Sequence, residues 1–154
     1  MIRFRYDKNP LGSGGFGRVH PASRVDDSGA VVDGDLAIKF LKPEWCQDQE
    51  ALVRFGREVR LQQEALDHPN VLPVVGRNLS ADPPYFVMPR ATHSLREELG
   101  HGGIQDDSRM LVLFQAVLEG MAHAHERQVL HRDLKPENVL FVGGVPRVAD
   151  FGRS

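Results

Sequence analysis

HRDLKPEN, residues 131–138, carries an imidazole, a guanidinium, two carboxylates, an ammonium and an amide in eight positions. Only Leu134 and Pro136 lack a polar head. A loop that merely caps and turns explains one or two such residues, but not all of them at this spacing. Asp133 can accept a proton from an attacking hydroxyl, and Lys135, two residues on, can neutralise charge on a group in transit. Asn138 offers an amide oxygen, a hard ligand of the kind Mg2+ takes. His131 reads as a packed imidazole and Arg132 as an arginine paired with an acid.

Downstream, ADFG at 149–152 follows a strand-like run. Asp150 supplies a second oxygen ligand, Phe151 packs beneath it, and Gly152 lets the chain turn. NVLFV (138–142) and PRVADF (146–151) read as two short closing strands. Upstream, residues 107–127 form a helix with cap candidates Asp106, Asp107 and Ser108 and an apolar face of Leu111, Phe114, Leu118 and Met121. SLREEL (94–99) is a shorter helix, closed by Gly100, Gly102 and Gly103.

The first half reads differently. Strands are expected around 5–11, 17–25 and 34–41, with Asp/Gly turn signals in DDSGAVVDGD, residues 26–35. Residues 47–66 switch to helical periodicity through Leu52, Phe55, Val59 and Ala65/Leu66, and the HPN run at 68–70 stops them. VLPVV (71–75) and YFVM (85–88) read as further strands. The change from strand-rich to helix-rich near residue 88 predicts two lobes joined at MPRATHS, residues 88–94.

Two features of this half carry chemistry. LAIKF (36–40) places Lys39 in an apolar strand. Such a lysine either keeps its head in water or points into a cleft, where it needs a carboxylate because an unpaired buried cation costs several kcal/mol. Glu58 is the best partner and Glu64 the runner-up. LGSGGFGRV (11–19) holds glycines at 12, 14 and 17. It is either a mobile turn or a loop whose N–H groups approach phosphates where no Cβ intervenes. The following RVHPASRV, with Pro21, reads as strand, which argues against a dinucleotide-binding strand-to-helix turn.

Composition sets outer limits. The chain has 154 residues, 41% hydrophobic, with a net charge of −2, so nothing in the global balance asks for nucleic acid or a lipid surface. One cysteine, Cys46, excludes an internal disulfide, and a reducing, cytoplasmic setting is expected. MIRFRYDKNP lacks a signal-peptide core, and VLPVV and MLVLF are too short to span a bilayer. His123 and His125 are two apart in a helical pattern, and His20, His68, His93 and His101 are scattered, so no histidine metal site is expected.

Taken in order, GxGxxGxV, AIK, a helix glutamate, HRDLKPEN and DFG resemble the eukaryotic-type protein kinase family, and Lys135 looks like its Ser/Thr branch. The resemblance runs from about residue 8 to 152. It implies an α+β, two-lobe fold: a β-rich N-lobe with one major helix over about 1–88, a hinge at 89–93, and the first part of a helical C-lobe over 94–154. It implies ATP and Mg2+ in the cleft between lobes. The loop bearing Gly12, Gly14 and Gly17 would cover the phosphates. Lys39 would hold them and pair with Glu58. Asn138 and Asp150 would hold Mg2+. Asp133 would orient a protein Ser/Thr hydroxyl, and Lys135 would steady the transferring group. Met88 would guard the back of the adenine site, Pro89 and Ala91 would form its hinge, and Leu11, Val19, Ala37 and Leu140 would line it. Proline is acceptable at 89, since the family uses only the carbonyl there.

Two departures stand out. From Glu58 to Pro69 the spacing is one residue longer than the family's, which puts Gln62 or Leu61 where an apolar residue should stack behind the glutamate. The sequence also stops two residues after DFG, before the family's activation segment and substrate platform. The expectation is therefore an N-terminal portion of an ATP-dependent Ser/Thr protein kinase, inactive alone and active at full length, with the apolar face of the 107–127 helix exposed for a partner. The competing readings are a catalytically inactive nucleotide-binding or regulatory fragment that docks on another protein, and a small-molecule kinase, which Lys135 disfavours.

Overall fold

A computed structural model describes residues 3–14, 17–100, 102, 105–131 and 133–151. Arg132 and Gly152, assigned roles above, lie outside the described residues, as do His101 and Gly103. Packing divides the chain into two units: residues 1–59 with 74–90, and residues 60–73 with 91–154.

The first unit is an antiparallel sheet. Its strands are β1 (Arg3–Tyr6), β2 (Gly12–Gly14), β3 (Gly17–Val25), β4 (Val31–Leu41), β5 (Gly76–Asn78) and β6 (Tyr85–Pro89). The order is β1-β3-β4-β6-β5, with β2 also on β3. Alternation sorts the side chains into two faces. Ala22, Leu36, Ile38 and Val87 cluster on one, flanked by Phe4, Phe40 and Tyr85. Tyr6, His20, Phe40 and Tyr85 meet edge to face along it, with centroids 4.9–5.8 Å apart. Register then puts Ala37, Lys39, Phe86 and Met88 on the opposite face. Helix α1 (Gln49–Arg60) packs there, its Phe55 ring 5.6 Å from that of Phe86. Asp48 caps α1 through its carboxylate on the Ala51 N–H, 2.9 Å.

The second unit pairs β7 (His93–Ser94), β8 (Val139–Val142) and β9 (Val145–Val148) in a small sheet. With it go α2 (Leu95–Gly100), α3 (Asp107–Glu126) and a single 3₁₀ turn at Pro136–Asn138. Leu66, Val71, Ala124, Val129, Val148 and Phe151 form its core, with Leu61, Val117 and Met121 against it. Segment 70–72 is stitched to β9: Val148 donates to Asn70 O (2.8 Å) and Leu72 donates to Val148 O (2.9 Å). Of the cap candidates for α3, Asp106 is the N-cap, its side chain accepting from Ser108 N–H.

Several boundaries differ from the sequence reading. Of the expected 5–11 strand only Arg5 and Tyr6 are strand, because Pro10 has no N–H to give and Asp7 turns the chain by accepting from Asn9 N–H, and the next strand begins at Gly12. VLPVV is not a strand. Only Val71 bridges, in parallel to Val148, and Pro73 cannot continue a ladder. The 47–66 helix is regular to Arg60 and then opens into a π turn, Leu61–Ala65. The apolar face of α3 is exposed as expected at Leu111, Phe114 and Leu118, which are 69%, 62% and 52% exposed, while Met121 packs against the core and Leu113, Gly120 and Ala124 are buried. The short strands β5 and β7 carry too little pattern to be read. Among the described residues no helix is long and apolar enough to cross a membrane.

Candidate functional site

In the first unit, β2 and β3 form the glycine hairpin, with Gly12 opposite Val19 and Gly14 opposite Gly17. A Cβ at Gly12 would meet nothing within 4 Å, but one at Gly17 would sit 2.4 Å from Lys39 Cε. A side chain at 17 would thus make the Lys39 side chain shift. Val19 faces Lys39 across β3–β4, and Ala37 faces Met88 across β4–β6. Ala37 and Met88 are buried, Val19 and Pro89 half-buried, and Leu11 is exposed while its N–H bonds Val19 O at 2.7 Å.

Lys39 Nζ lies 2.9 Å from Glu58 Oε1, with both side chains about nine-tenths buried. The same ammonium stands 5.6 Å from the centre of the Phe86 ring, within cation–π range. Glu58, the partner preferred over Glu64 in the sequence reading, is the one bonded to the lysine. A buried ion pair is weak evidence of stabilisation, because desolvation offsets its attraction. Its retention points to a use for the lysine's charge. Phe86 was missed in the sequence, where YFVM gave only alternation.

In the second unit the 131–138 loop closes on itself. Asn138 is buried, and its Nδ2 donates to Asp133 O (2.8 Å) and more weakly to Asp133 Oδ2 (3.4 Å). That commits the amide nitrogen and leaves Oδ1 as the amide's acceptor. Lys135 Nζ is 3.4 Å from Asp133 Oδ2. Beside this loop runs 149–151: Ala149 N–H bonds Asn138 O at 2.8 Å. His131 ties the two segments together. Its Nδ1 accepts from Asp133 N–H (3.1 Å), which leaves Nε2–H to donate to Ala149 O (2.6 Å). The packed imidazole of the sequence reading is a two-ended clamp, 4.7 Å from the fully buried Phe151 ring.

Asp150 stands at φ +61°, in the left-handed region that a non-glycine residue enters at a cost of about 1 kcal/mol or more. The surroundings hold it there: Ala149 is bonded before it and Phe151 is buried after it. Leu140 and Ala91 also belong to this unit. Thr92 N–H bonds Phe141 O at 2.9 Å, so the residues next to Ala91 and Leu140 are laddered together. Glu137 is anchored by Arg96 Nε at 2.7 Å, which holds its carboxyl below the ordinary glutamate range. An apolar pocket of about 250 Å3 lies between α3 and this loop, lined by Leu113, Phe114, Leu134 and Val139 among others.

The structure thus places Leu11, Gly12, Gly14, Gly17, Val19, Ala37, Lys39, Glu58, Met88 and Pro89 in one unit, and Ala91, Asp133, Lys135, Asn138, Leu140 and Asp150 in the other. Asn70 was read only as part of a helix stop. It also holds β9, through its carbonyl to Val148 N–H and its amide to Pro146 O at 3.1 Å.

The sequence model described as Protein kinase domain matches residues 6–154. The serine/threonine-protein kinase PrkC of Bacillus subtilis (strain 168) is 32% identical over 145 residues, 92% of this chain and 21% of that protein. The serine/threonine-protein kinase pkn2 of Myxococcus xanthus is 35% identical over 154 residues, 97% of this chain and 18% of that protein. The MAP kinase kinase kinase SSK2 of Saccharomyces cerevisiae is 33% identical over 154 residues, 98% of this chain and 9% of that protein. The chain spans about a fifth or less of the length of these curated relatives.

Proposed function

Because this chain belongs to the protein kinase domain family, we propose that it carries the phosphoryl-transfer residues of a Ser/Thr protein kinase, which moves the γ-phosphoryl group of ATP to a protein hydroxyl. The observation that carries this reading is the knot of Asp133, Lys135 and Asn138 clamped through His131 to the residue before Asp150. Phosphoryl transfer asks a protein mainly for positioning and electrostatics, and rigid mutual anchoring of these side chains supplies both.

Each residue has a task on this reading. The hairpin bearing Gly12, Gly14 and Gly17 offers backbone N–H groups to phosphate oxygens. Lys39, held by Glu58, places one positive charge on them. Leu11, Val19, Ala37, Met88 and Leu140 give apolar surface to the adenine ring, with Pro89 and Ala91 at its polar edge. Asp133 accepts the proton of the incoming Ser or Thr hydroxyl, and Lys135 offsets charge on the transferring group. The donor set fits Mg2+: the fixed amide leaves Asn138 Oδ1 as a hard oxygen, and Asp150 adds a carboxylate. When bound, Mg2+ neutralises phosphate charge, and Asn138 and Asp150 would hold it.

Thermal melts against Mg-ATP test this. Binding raises the midpoint by mass action, and Lys39→Met should abolish the rise. In a full-length form with an activation segment, transfer of labelled phosphate to a Ser/Thr peptide library should fall by about 10²–10⁴-fold in Asp133→Asn, with the ATP shift kept. No shift at millimolar Mg-ATP in the unsubstituted chain sinks the reading. The wet apolar face of α3 favours a second one, a nucleotide-binding module that docks on another protein. A midpoint shift without any transfer by the full-length form would select it.

A further inference from the structure

The helix that presents Glu58 opens at its end into a π turn, Leu61–Ala65, which holds one residue more than an α turn would. Glu58 and Leu66 are eight residues apart. In unbroken α-helix, eight residues end about 80° past the second full turn, whereas seven end within about 20° of it. A π turn closes its hydrogen-bond ring over five residues instead of four, so it absorbs the surplus and restores the phase on either side. Such turns are marginal, and something must hold this one. Gln62 is 3% exposed, and its Nε2 donates to Leu72 O at 3.0 Å. Gln63, next to it, is exposed.

We propose that Gln62 is a positioning residue: its bond to the Leu72 carbonyl holds the surplus residue in the π turn, and so keeps Glu58 turned toward Lys39. An apolar residue of similar volume would fill the space. It would leave the Leu72 carbonyl without this donor, and the turn free to pass its surplus residue along the helix. Removing Gln63 takes the surplus away, so the turn reverts to α and Gln62 becomes dispensable. The catalytic importance of this positioning rests on the kinase reading above, but the Lys39–Glu58 geometry does not.

The test is a double-mutant cycle on stability, which needs no nucleotide. Lys39→Met, Glu58→Gln and the pair are unfolded in urea in three backgrounds: the unsubstituted chain, Gln62→Leu, and Gln62→Leu with Gln63 deleted. Fluorescence of Trp45, the sole tryptophan, reports on the unit that contains both residues. Coupling between Lys39 and Glu58 should be about fivefold or more in the unfolding constant in the first background, within about twofold of none in the second, and restored in the third. Coupling that survives Gln62→Leu, or stays lost after Gln63 is removed, overturns the proposal. Should Gln62→Leu fail to fold, Gln62→Met replaces it, with the same expected outcomes. A chain that shows the coupling pattern but no Mg-ATP shift would refute the kinase reading alone.

Discussion

Consider Gly120→Ala on α3. On an exposed helix, replacing glycine by alanine gains about 1 kcal/mol, because alanine loses less backbone freedom on folding. Here the added Cβ would sit 2.7 Å from the carbonyl oxygen of Asn70 and 3.3 Å from that carbonyl carbon. The oxygen cannot step aside, since it accepts the Val148 N–H at 2.8 Å while the Asn70 amide holds Pro146 O. Either α3 backs away, at the overpacking cost of about 1–3 kcal/mol, or the β9 tie lengthens, at about 1 kcal/mol more. Less the propensity gain of about 1 kcal/mol, the steric cost leaves a net loss of up to about 2 kcal/mol. At this chain length each kcal/mol lowers the melting midpoint by about 2–4 °C. Circular dichroism melts should show the fall, and Gly100→Ala, with nothing within 4 Å of its new Cβ, should show none. A midpoint for Gly120→Ala at or above that of the parent would refute the close approach of helix and loop.

Three further outcomes follow from the surface and its charges. The Glu137 carboxyl is depressed by its hydrogen bond to Arg96, so that contribution is complete above the ordinary glutamate range and fades as pH falls through the lowered folded value. Arg96→Ala should therefore flatten the acid limb of a midpoint-against-pH series from about pH 6 to 3. His123 is held below the usual imidazole range by burial first, then by Arg127 and His68. Its neutral form is favoured in the fold, so its contribution is lost as pH falls below the unfolded imidazole value, and His123→Gln should lessen the drop between about pH 7 and 5. Leu111→Ser and Phe114→Ser alter residues 69% and 62% exposed. They should change the melting midpoint little and reduce light scattering at high protein concentration.

Much of the site was legible because its signals are local. His131, Asp133, Lys135 and Asn138 are bound to one another within eight positions, and a lysine in an apolar strand called for a carboxylate, with Glu58 preferred to Glu64. The first sheet was legible where alternation is long, as in β3 and β4, and blurred where Pro10 and Pro73 interrupt the ladder. What escaped is long-range. The 70–72 segment gains its place from β9, over seventy residues away, and no pattern within VLPVV foretells that. The exposure of Leu111, Phe114 and Leu118 on α3 was expected, but the packing of Leu113, Gly120 and Ala124 was not, because hydropathy records apolarity and not contact. The surplus residue before HPN was visible as a misfit in spacing. Its accommodation as a π turn needed coordinates.

The left-handed backbone at Asp150 narrows what that position can hold. Glycine would sit there relaxed and asparagine nearly so, while a branched side chain would be forced out of shape. A carboxylate at this point is thus a third choice on conformational grounds, kept where a neutral residue would ease the main chain. Asp150→Gly would relax the main chain at this point and take away both anionic oxygens, so backbone ease and charge pull this position in opposite directions.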